Sequence, residues 1–310
     1  MFFYQKFNLI FYLKLLFIEQ FIFLMSYSHN DFKYIDSHCH FFPPQIFEAI
    51  WNYFEQRDKN NKVKGWSINY KLPTEELVKI LESKNIKYFT AYNYAHKAGV
   101  AEFINDWTYE FNQNYKNSIP FACVWPEDYN LVEYIKKVFD EYDFYGIKIQ
   151  PLVQNFYLND NRLYEMYDVI VDRGKWMTVH IGTAPYRNQY VGYKNFMNFF
   201  EKYPEMNIIV AHMGAFEYDK FLKLLDKHEN LYLDTTMIYI PNNIFPERGT
   251  KRPKPDVLLS YQDRILFGSD FPNIPYDYEN STKGLLEMEL PRSFYENIFF
   301  NNAKRIFRIL

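Results

Sequence analysis

From Lys33 onward, short apolar runs alternate with longer stretches whose apolar residues recur at helical spacing. The short runs are Tyr34-Ile35-Asp36, Tyr88-Phe89-Thr90-Ala91, Phe121-Ala122-Cys123-Val124, Gly146-Ile147-Lys148-Ile149, Met177-Thr178-Val179-His180, Ile208-Ile209-Val210-Ala211, Leu231-Tyr232-Leu233 and Ile265-Leu266-Phe267-Gly268. Such brief, almost unbroken apolar runs read as parallel strands buried on both faces. Thr74, Glu75 and Glu76 open a helix in the manner of an N-cap, with Leu77, Ile80 and Leu81 as its apolar face. Asn130 opens another around Leu131, Ile135 and Val138. Residues 161–173 carry Leu163, Met166, Tyr167 and Ile170, and Gly174 ends them. Residues 216–228 carry Phe221, Leu224 and Leu225. Eight strand signals alternating with helices predict an α/β fold, a single (β/α)8 TIM barrel. A doubly wound open sheet is the alternative, but no Gly-x-Gly-x-x-Gly follows any strand, so dinucleotide binding of that kind has no support.

Two stretches break the rhythm. Residues 58–72 are polar and read as an insertion after the first helix. Residues 236–256 contain Pro241, Pro246, Pro253 and Pro255 and read as a long loop after the seventh strand. Both could cover the barrel mouth. Residues 1–24 form an apolar extension interrupted by Lys14 and Glu19, and a central charge costs a membrane span about 2.5–3.5 kcal/mol. No small-residue cleavage site of the Ala-x-Ala type follows. Met25 therefore reads as the true start, with a membrane anchor as the second reading, and the barrel domain is expected over residues 25–310.

Composition narrows the function. Thirty-five basic residues against 38 acidic ones give a net charge of −3, which excludes a strongly basic nucleic-acid binder while leaving room for a local patch. Two cysteines exclude a disulfide scaffold and fit a reducing, cytoplasmic setting. Aromatics reach 21% while glycines number only 10; AT-rich coding accounts for such a bias, so aromatic stripes are read as core. The expected partner is a small-molecule substrate, with no nucleic acid. No membrane is expected unless residues 1–24 belong to the mature chain, and a homodimer is the assembly considered.

The chemistry lies in the histidines. Five of seven fall at or just beyond the C-terminal end of a predicted strand, where barrels build their active sites: His38, His40, His96, His180 and His212. His29 and His228 read as surface residues. Residues two apart on an extended strand point the same way, so His38 and His40 converge inside the barrel. His180 in Val179-His180-Ile181-Gly182, His212 in Ala211-His212-Met213-Gly214 and Asp270 in Gly268-Ser269-Asp270-Phe271-Pro272 each follow an apolar strand. A carboxylate there needs a partner, and one metal ion serves all these groups at once. Imidazole and carboxylate ligands with an open position make a catalytic site rather than a closed structural one. Alternation also turns Lys148 inward. It reads either as a lysine that contacts substrate or Asp270, or as a carboxylated lysine bridging a second metal.

These motifs, with Asp36-Ser37-His38-Cys39-His40 and the terminal Asn302-Ala303-Lys304-Arg305-Ile306-Phe307, resemble the amidohydrolase superfamily from about Lys33 to the C-terminus. More narrowly, they are similar to its metal-dependent hydrolases and decarboxylases of the aminocarboxymuconate-semialdehyde decarboxylase type. The resemblance implies that His38, His40, His180 and Asp270 bind one divalent ion, Zn2+ as first choice and Mn2+ as the alternative. It implies that His212 is catalytic or, with two metals, ligates the second ion. Lys148 departs from the decarboxylase pattern and from the glutamate that TatD-like nucleases carry on the fourth strand.

The expected activity is hydrolysis of an ester, lactone or amide. Asp270 would move the proton of the attacking water, and His212 would stabilise the oxyanion. The alternative is non-oxidative decarboxylation of a small aromatic or unsaturated acid, in which Lys148 or Arg187 supplies a cation. His96 is placed as a substrate contact. Asp234 is read as support for His212, and Cys39, Cys123, Trp66 and Trp107 as packing residues.

Overall fold

The computed structural model describes residues 27–59, 66–241 and 251–309. Its strands are β1 Tyr34–Asp36, β2 Ile86–Ala91, β3 Ser118–Cys123, β4 Gly146–Ile149, β5 Trp176–Val179, β6 Asn207–Val210, β7 Leu231–Asp234 and β8 Ile265–Leu266. They form one parallel sheet in the order β1 to β8. The two edges meet just beyond the strands. Ser37 N–H donates to Phe267 O at 2.9 Å, Asp270 N–H to His38 O at 2.8 Å, and His40 N–H to Phe271 O at 2.7 Å. The sheet is thereby closed into a barrel, and the residues that close it belong to the two segments richest in ligating side chains. Gly268 permits the approach: a Cβ there would lie 2.2 Å from Thr236 Oγ1 and 2.6 Å from His38 Cβ.

Helices Thr74–Ser83, Ala101–Asn114, Leu131–Asp140, Tyr164–Asp172, Tyr193–Phe200 and Tyr218–Leu225 make the outer layer. Each buries one apolar face; in Leu131–Asp140 it is Leu131, Tyr134, Ile135, Val138 and Phe139. Pro73, not Thr74, occupies the first capping position, and Thr74 is already helical. Gly174 ends its helix as expected, in the left-handed region at φ 57°.

Apolar residues fill two volumes. The larger lies between sheet and helices. The smaller fills the barrel itself, where Ile35, Ile119, Phe121, Ile209 and Leu266 meet Phe300, Ala303, Ile306 and Phe307 from the C-terminal helical run 292–306 and the residue that follows it. The Phe307 ring packs edge-on against Phe121 at 5.9 Å and Tyr145 at 6.1 Å. The C-terminal run thus plugs the N-terminal mouth and leaves the opposite mouth for chemistry. The largest fully buried side chains are Tyr and Phe, so the aromatic excess is core, as composition predicted.

The extension 1–24 lies outside the described residues, as do residues 60–65 of the 58–72 insertion and 242–250 of the 236–256 loop. Among the described residues, no helix is long and apolar enough to cross a membrane.

Candidate metal centre

Past Asp36 the chain stays extended, with isolated parallel bridges at Cys39 and His40. The alternation that turns Cys39 into the outer core brings His38 and His40 to the C-terminal mouth, only 1% and 4% exposed. Asp270 arrives from the other side of the barrel seam at φ 71°. Its Oδ1 lies 2.9 Å from His40 Nε2 and 3.4 Å from His38 Nε2. Ligand atoms of His38, His40 and Asp270 all fall within 4.8 Å of one another. The His212 ring lies 5.0 Å from that of His38 and 4.6 Å from that of His180. Lys148, fully buried on β4, points its Nζ at His38 Nε2 (3.3 Å) and stands 4.9 Å over the Tyr92 ring.

Hydrogen bonds to neighbouring oxygens fix which nitrogen carries a lone pair in His38, His180 and His212. His38 Nδ1 donates to Asp234 Oδ2 at 2.8 Å, so Nε2 of the neutral ring is an acceptor. That lone pair and Asp270 Oδ1 face each other at 3.4 Å, an arrangement that calls for positive charge between or beside them. The donor set therefore fits a divalent cation, and among the protein's own groups the Lys148 ammonium supplies the charge nearest to His38 Nε2. His180 Nε2 donates to Ala184 O at 2.9 Å, which leaves Nδ1 as its free lone pair. His212 Nδ1 donates to Thr236 O at 3.0 Å, which leaves Nε2 as an acceptor. The neutral His212 ring therefore cannot donate to an oxyanion, contrary to the sequence expectation; it accepts.

The electrostatics agree. Burial, reinforced by the Lys148 charge, pushes His38 down to about 4, and burial pushes His212 down to about 4. Burial and the neighbouring His212 hold His180 well below its ordinary value. These rings are thus neutral and able to ligate at pH 7. Burial raises the Asp234 and Asp270 carboxyls, but the surrounding imidazoles outweigh it and hold both below the usual carboxylate range. Burial lowers Lys148 to about 8, against the pull of Asp234 and Asp270.

Asp36 and Gln150 escaped the sequence reading, and Asp234 does more than the support of His212 expected of it. Asp234 braces His38 with Oδ2, while its Oδ1 accepts from His212 N–H (2.8 Å) and Thr236 N–H (3.1 Å). It therefore supports the His38 ring and only the backbone of His212. That backbone needs support, because His212, Met213 and Gly214 are all left-handed, at φ 54°, 51° and 68°. Each non-glycine residue there costs roughly 1–2 kcal/mol. Asp36 holds the seam: its carboxylate accepts from Ser269 Oγ and Tyr278 OH, both at 2.6 Å, and from the His38 and Ser269 amides, both at 3.1 Å. Gln150, two residues beyond Lys148 on the same inward alternation, lines the cleft above the ligands; its Oε1 is buried with no hydrogen-bond partner among the described residues. The same alternation that turned Lys148 inward could have found it.

The cleft has apolar walls, Phe54, Trp66, Leu152 and Tyr186, over a floor of His180, His212 and Asp270. His96 and Arg187 are exposed and do not line it. His96 was placed by proximity to the end of the second strand and Arg187 as a cation for a substrate carboxylate; both stand on loops that leave the side chain exposed. His29 and His228 are not free surface residues either. His29 bonds Thr282 Oγ1 and Lys84 O and stacks on Tyr34, and His228 packs on Phe200. Cys39 and Cys123 are buried free thiols.

A family model described as amidohydrolase matches residues 35–309, and the chain belongs to that family. No curated protein matches the sequence. Among solved structures, an uncharacterised TIM-barrel protein from Bordetella bronchiseptica is 16% identical, over 89% of this chain and 99% of that one, with a TM-score of 0.68. A 5-carboxyvanillate decarboxylase from Novosphingobium aromaticivorans, complexed with manganese and a nitrobenzoic acid, is 15% identical over 90% and 96%, with a TM-score of 0.62. A probable 2-pyrone-4,6-dicarboxylic acid hydrolase from Acinetobacter baumannii is 14% identical over 90% and 100%, with a TM-score of 0.59. At these identities the likeness is one of fold.

Proposed function

We propose that this amidohydrolase-family chain is a metal-dependent hydrolase acting on a small-molecule ester, lactone or amide, with His38, His40, His180 and Asp270 as the ligands. The observation that carries the reading is the convergence of one ligand atom each from His38, His40 and Asp270 within 4.8 Å at the open mouth of the barrel. A divalent cation held there supplies Lewis acidity and makes water nucleophilic near neutral pH. Asp270 uses its second carboxylate oxygen to take the proton of the attacking water and to return it to the leaving group. His212 Nε2, an acceptor, orients that water. Lys148, the buried cation of the site, neutralises charge that develops on the substrate. Gln150 offers a hydrogen-bonding handle for the bound molecule, and the aromatic walls exclude bulk solvent.

Decarboxylation is the second reading. It is favoured by two observations: the flat apolar walls of Phe54, Trp66 and Tyr186, and the Lys148 ammonium beside the ligands, 3.3 Å from His38 Nε2. The Novosphingobium neighbour is a decarboxylase and the Acinetobacter neighbour a probable hydrolase, so both chemistries occur on this barrel. A panel of aryl esters, lactones and hydroxybenzoic acids, offered to protein loaded with Zn2+ or Mn2+ in 18O-labelled water, separates the two. Label in the product with no carbon dioxide supports hydrolysis; carbon dioxide without label in the product overturns it.

A further inference from the structure

The plugged end of the barrel carries a charge pattern that the proposed reaction does not use. Two shallow clefts flank the C-terminal helix Asn302–Ile306. One, about 570 Å3, is lined by Lys33, Lys87, Lys116 and Lys304. The other, about 430 Å3, is lined by Arg173, Lys175, Arg305 and Arg308, with Asp143 as its only carboxylate. Lys33 directly precedes β1, Lys87 is the second residue of β2, Lys116 stands two residues before β3 and Lys175 directly precedes β5, so these cations ring the N-terminal ends of the strands, opposite the metal centre. Arg173 pairs with Asp140, and Lys175 approaches Asp143 at 3.5 Å. Lys33, Lys87, Lys116, Lys304, Arg305 and Arg308 are exposed and have no carboxylate partner among the described residues. In a chain whose net charge is −3, this is a segregated patch rather than an excess of base.

We propose that this basic face docks on an anionic phospholipid surface, with the metal centre facing away from it. Three observations favour that partner. The patch is broad, shallow and mostly lysine, which meets phosphates as point charges rather than by bidentate recognition. The aromatic side chains that line the two clefts are half-buried (Tyr88, Tyr145 and Trp176) or buried (Phe300 and Phe307), so the face presents its cations more openly than any ring on which bases of single-stranded RNA would stack. The chain also enters this side of the molecule from the apolar residues 1–24. Tyr27 packs against Phe32 with ring centroids 5.3 Å apart, immediately before Lys33. On the second reading of residues 1–24, as a membrane anchor, that apolar segment and the polybasic surface are the two signals that together give stable membrane association.

The test is co-sedimentation of the full chain with vesicles of phosphatidylcholine alone and of phosphatidylcholine with roughly a third phosphatidylserine. Binding to neutral vesicles reads residues 1–24; the preference for anionic vesicles reads the patch. The proposal expects a clear anionic preference that falls as salt rises. Each lysine removed should cost about fivefold. The triple variant Lys87→Gln, Lys116→Gln, Lys304→Gln should thus lose roughly a hundredfold of the preference at unchanged circular dichroism. The variant Lys79→Gln, Lys194→Gln, Lys223→Gln removes the same charge from the outer helices and should keep it. Equal binding to both vesicles, equal loss in the two triple variants, or displacement from anionic vesicles by equimolar single-stranded RNA would overturn the proposal.

Discussion

Replacing Asp234 by Asn separates the two duties of that residue. The carboxylate accepts on both oxygens: from His38 Nδ1 at 2.8 Å on one, and from the amides of His212 (2.8 Å) and Thr236 (3.1 Å) on the other. An Asn side chain can accept on only one. If its oxygen stays on the backbone amides, its NH2 meets His38 Nδ1–H, and the ring must move its proton to Nε2, the atom that should ligate. Losing such an outer-shell partner typically weakens metal binding 10–100-fold, or about 1.4–2.8 kcal/mol. Turned the other way, the NH2 faces two buried amide donors, each costing about 1–3 kcal/mol when unpaired. The expected result of Asp234→Asn is therefore Zn2+ affinity reduced about 10–100-fold, with a metal-free stability loss of only about 1–3 kcal/mol. Asp234→Ala orphans all three donors and should lose both affinity and more stability. Zn2+ titration against a competing chelator dye reads the first quantity, and thermal melting of metal-free protein the second. Wild-type Zn2+ affinity in a folded Asp234→Asn protein would refute the reasoning and reduce Asp234 to a purely structural brace.

His212→Asn keeps a residue tolerant of the left-handed backbone at φ 54° but removes the Nε2 acceptor; activity should fall about 100-fold or more at unchanged metal content, checked by elemental analysis beside steady-state kinetics. Gln150→Leu removes the unpartnered Oε1 of the cleft wall. It should raise KM about tenfold with little change in kcat, as expected when a binding hydrogen bond is lost. The pH dependence has a defined sign. His38 and His212 titrate near 4 when folded, against 6.5 unfolded, so below pH 6.5 the unfolded chain binds more protons. The stability these rings contribute is complete above about pH 6.5 and is lost as pH falls towards 4. Melting temperatures of metal-free protein recorded across that window should therefore drop on acidification.

Much of the barrel was legible because parallel strands covered on both faces write themselves as short apolar runs. β1 and β4 fall on the residues that the pattern named, and β7 adds only Asp234. β8 shrinks to Ile265–Leu266 because the next amide, Phe267 N–H, donates to Ile298 O of the C-terminal helical run and not to a neighbouring strand. Alternation within two segments, the extension of β1 and β4, was enough to turn His38, His40 and Lys148 towards the same space. What stayed hidden were contacts between distant segments. The partner of Asp234 is the His38 ring, 196 positions away, and the bonds from Asp36 to Ser269 and Tyr278 span more than 230. No periodicity encodes such a pairing. His96 and Arg187 are exposed and outside the cleft lining because they stand on loops, which do not inherit a strand's inward direction.

The central claim is that His38, His40 and Asp270, with His180 beside them, hold a divalent cation. The most direct test is elemental analysis of protein loaded with Zn2+ or Mn2+ and then desalted, comparing the wild type with His40→Ala and Asp270→Ala. The structure predicts about one ion per wild-type chain and, with one ligand gone, retention reduced at least tenfold in either variant. A wild-type chain that retains no ion, or a His40→Ala chain that retains a full one, would contradict the account.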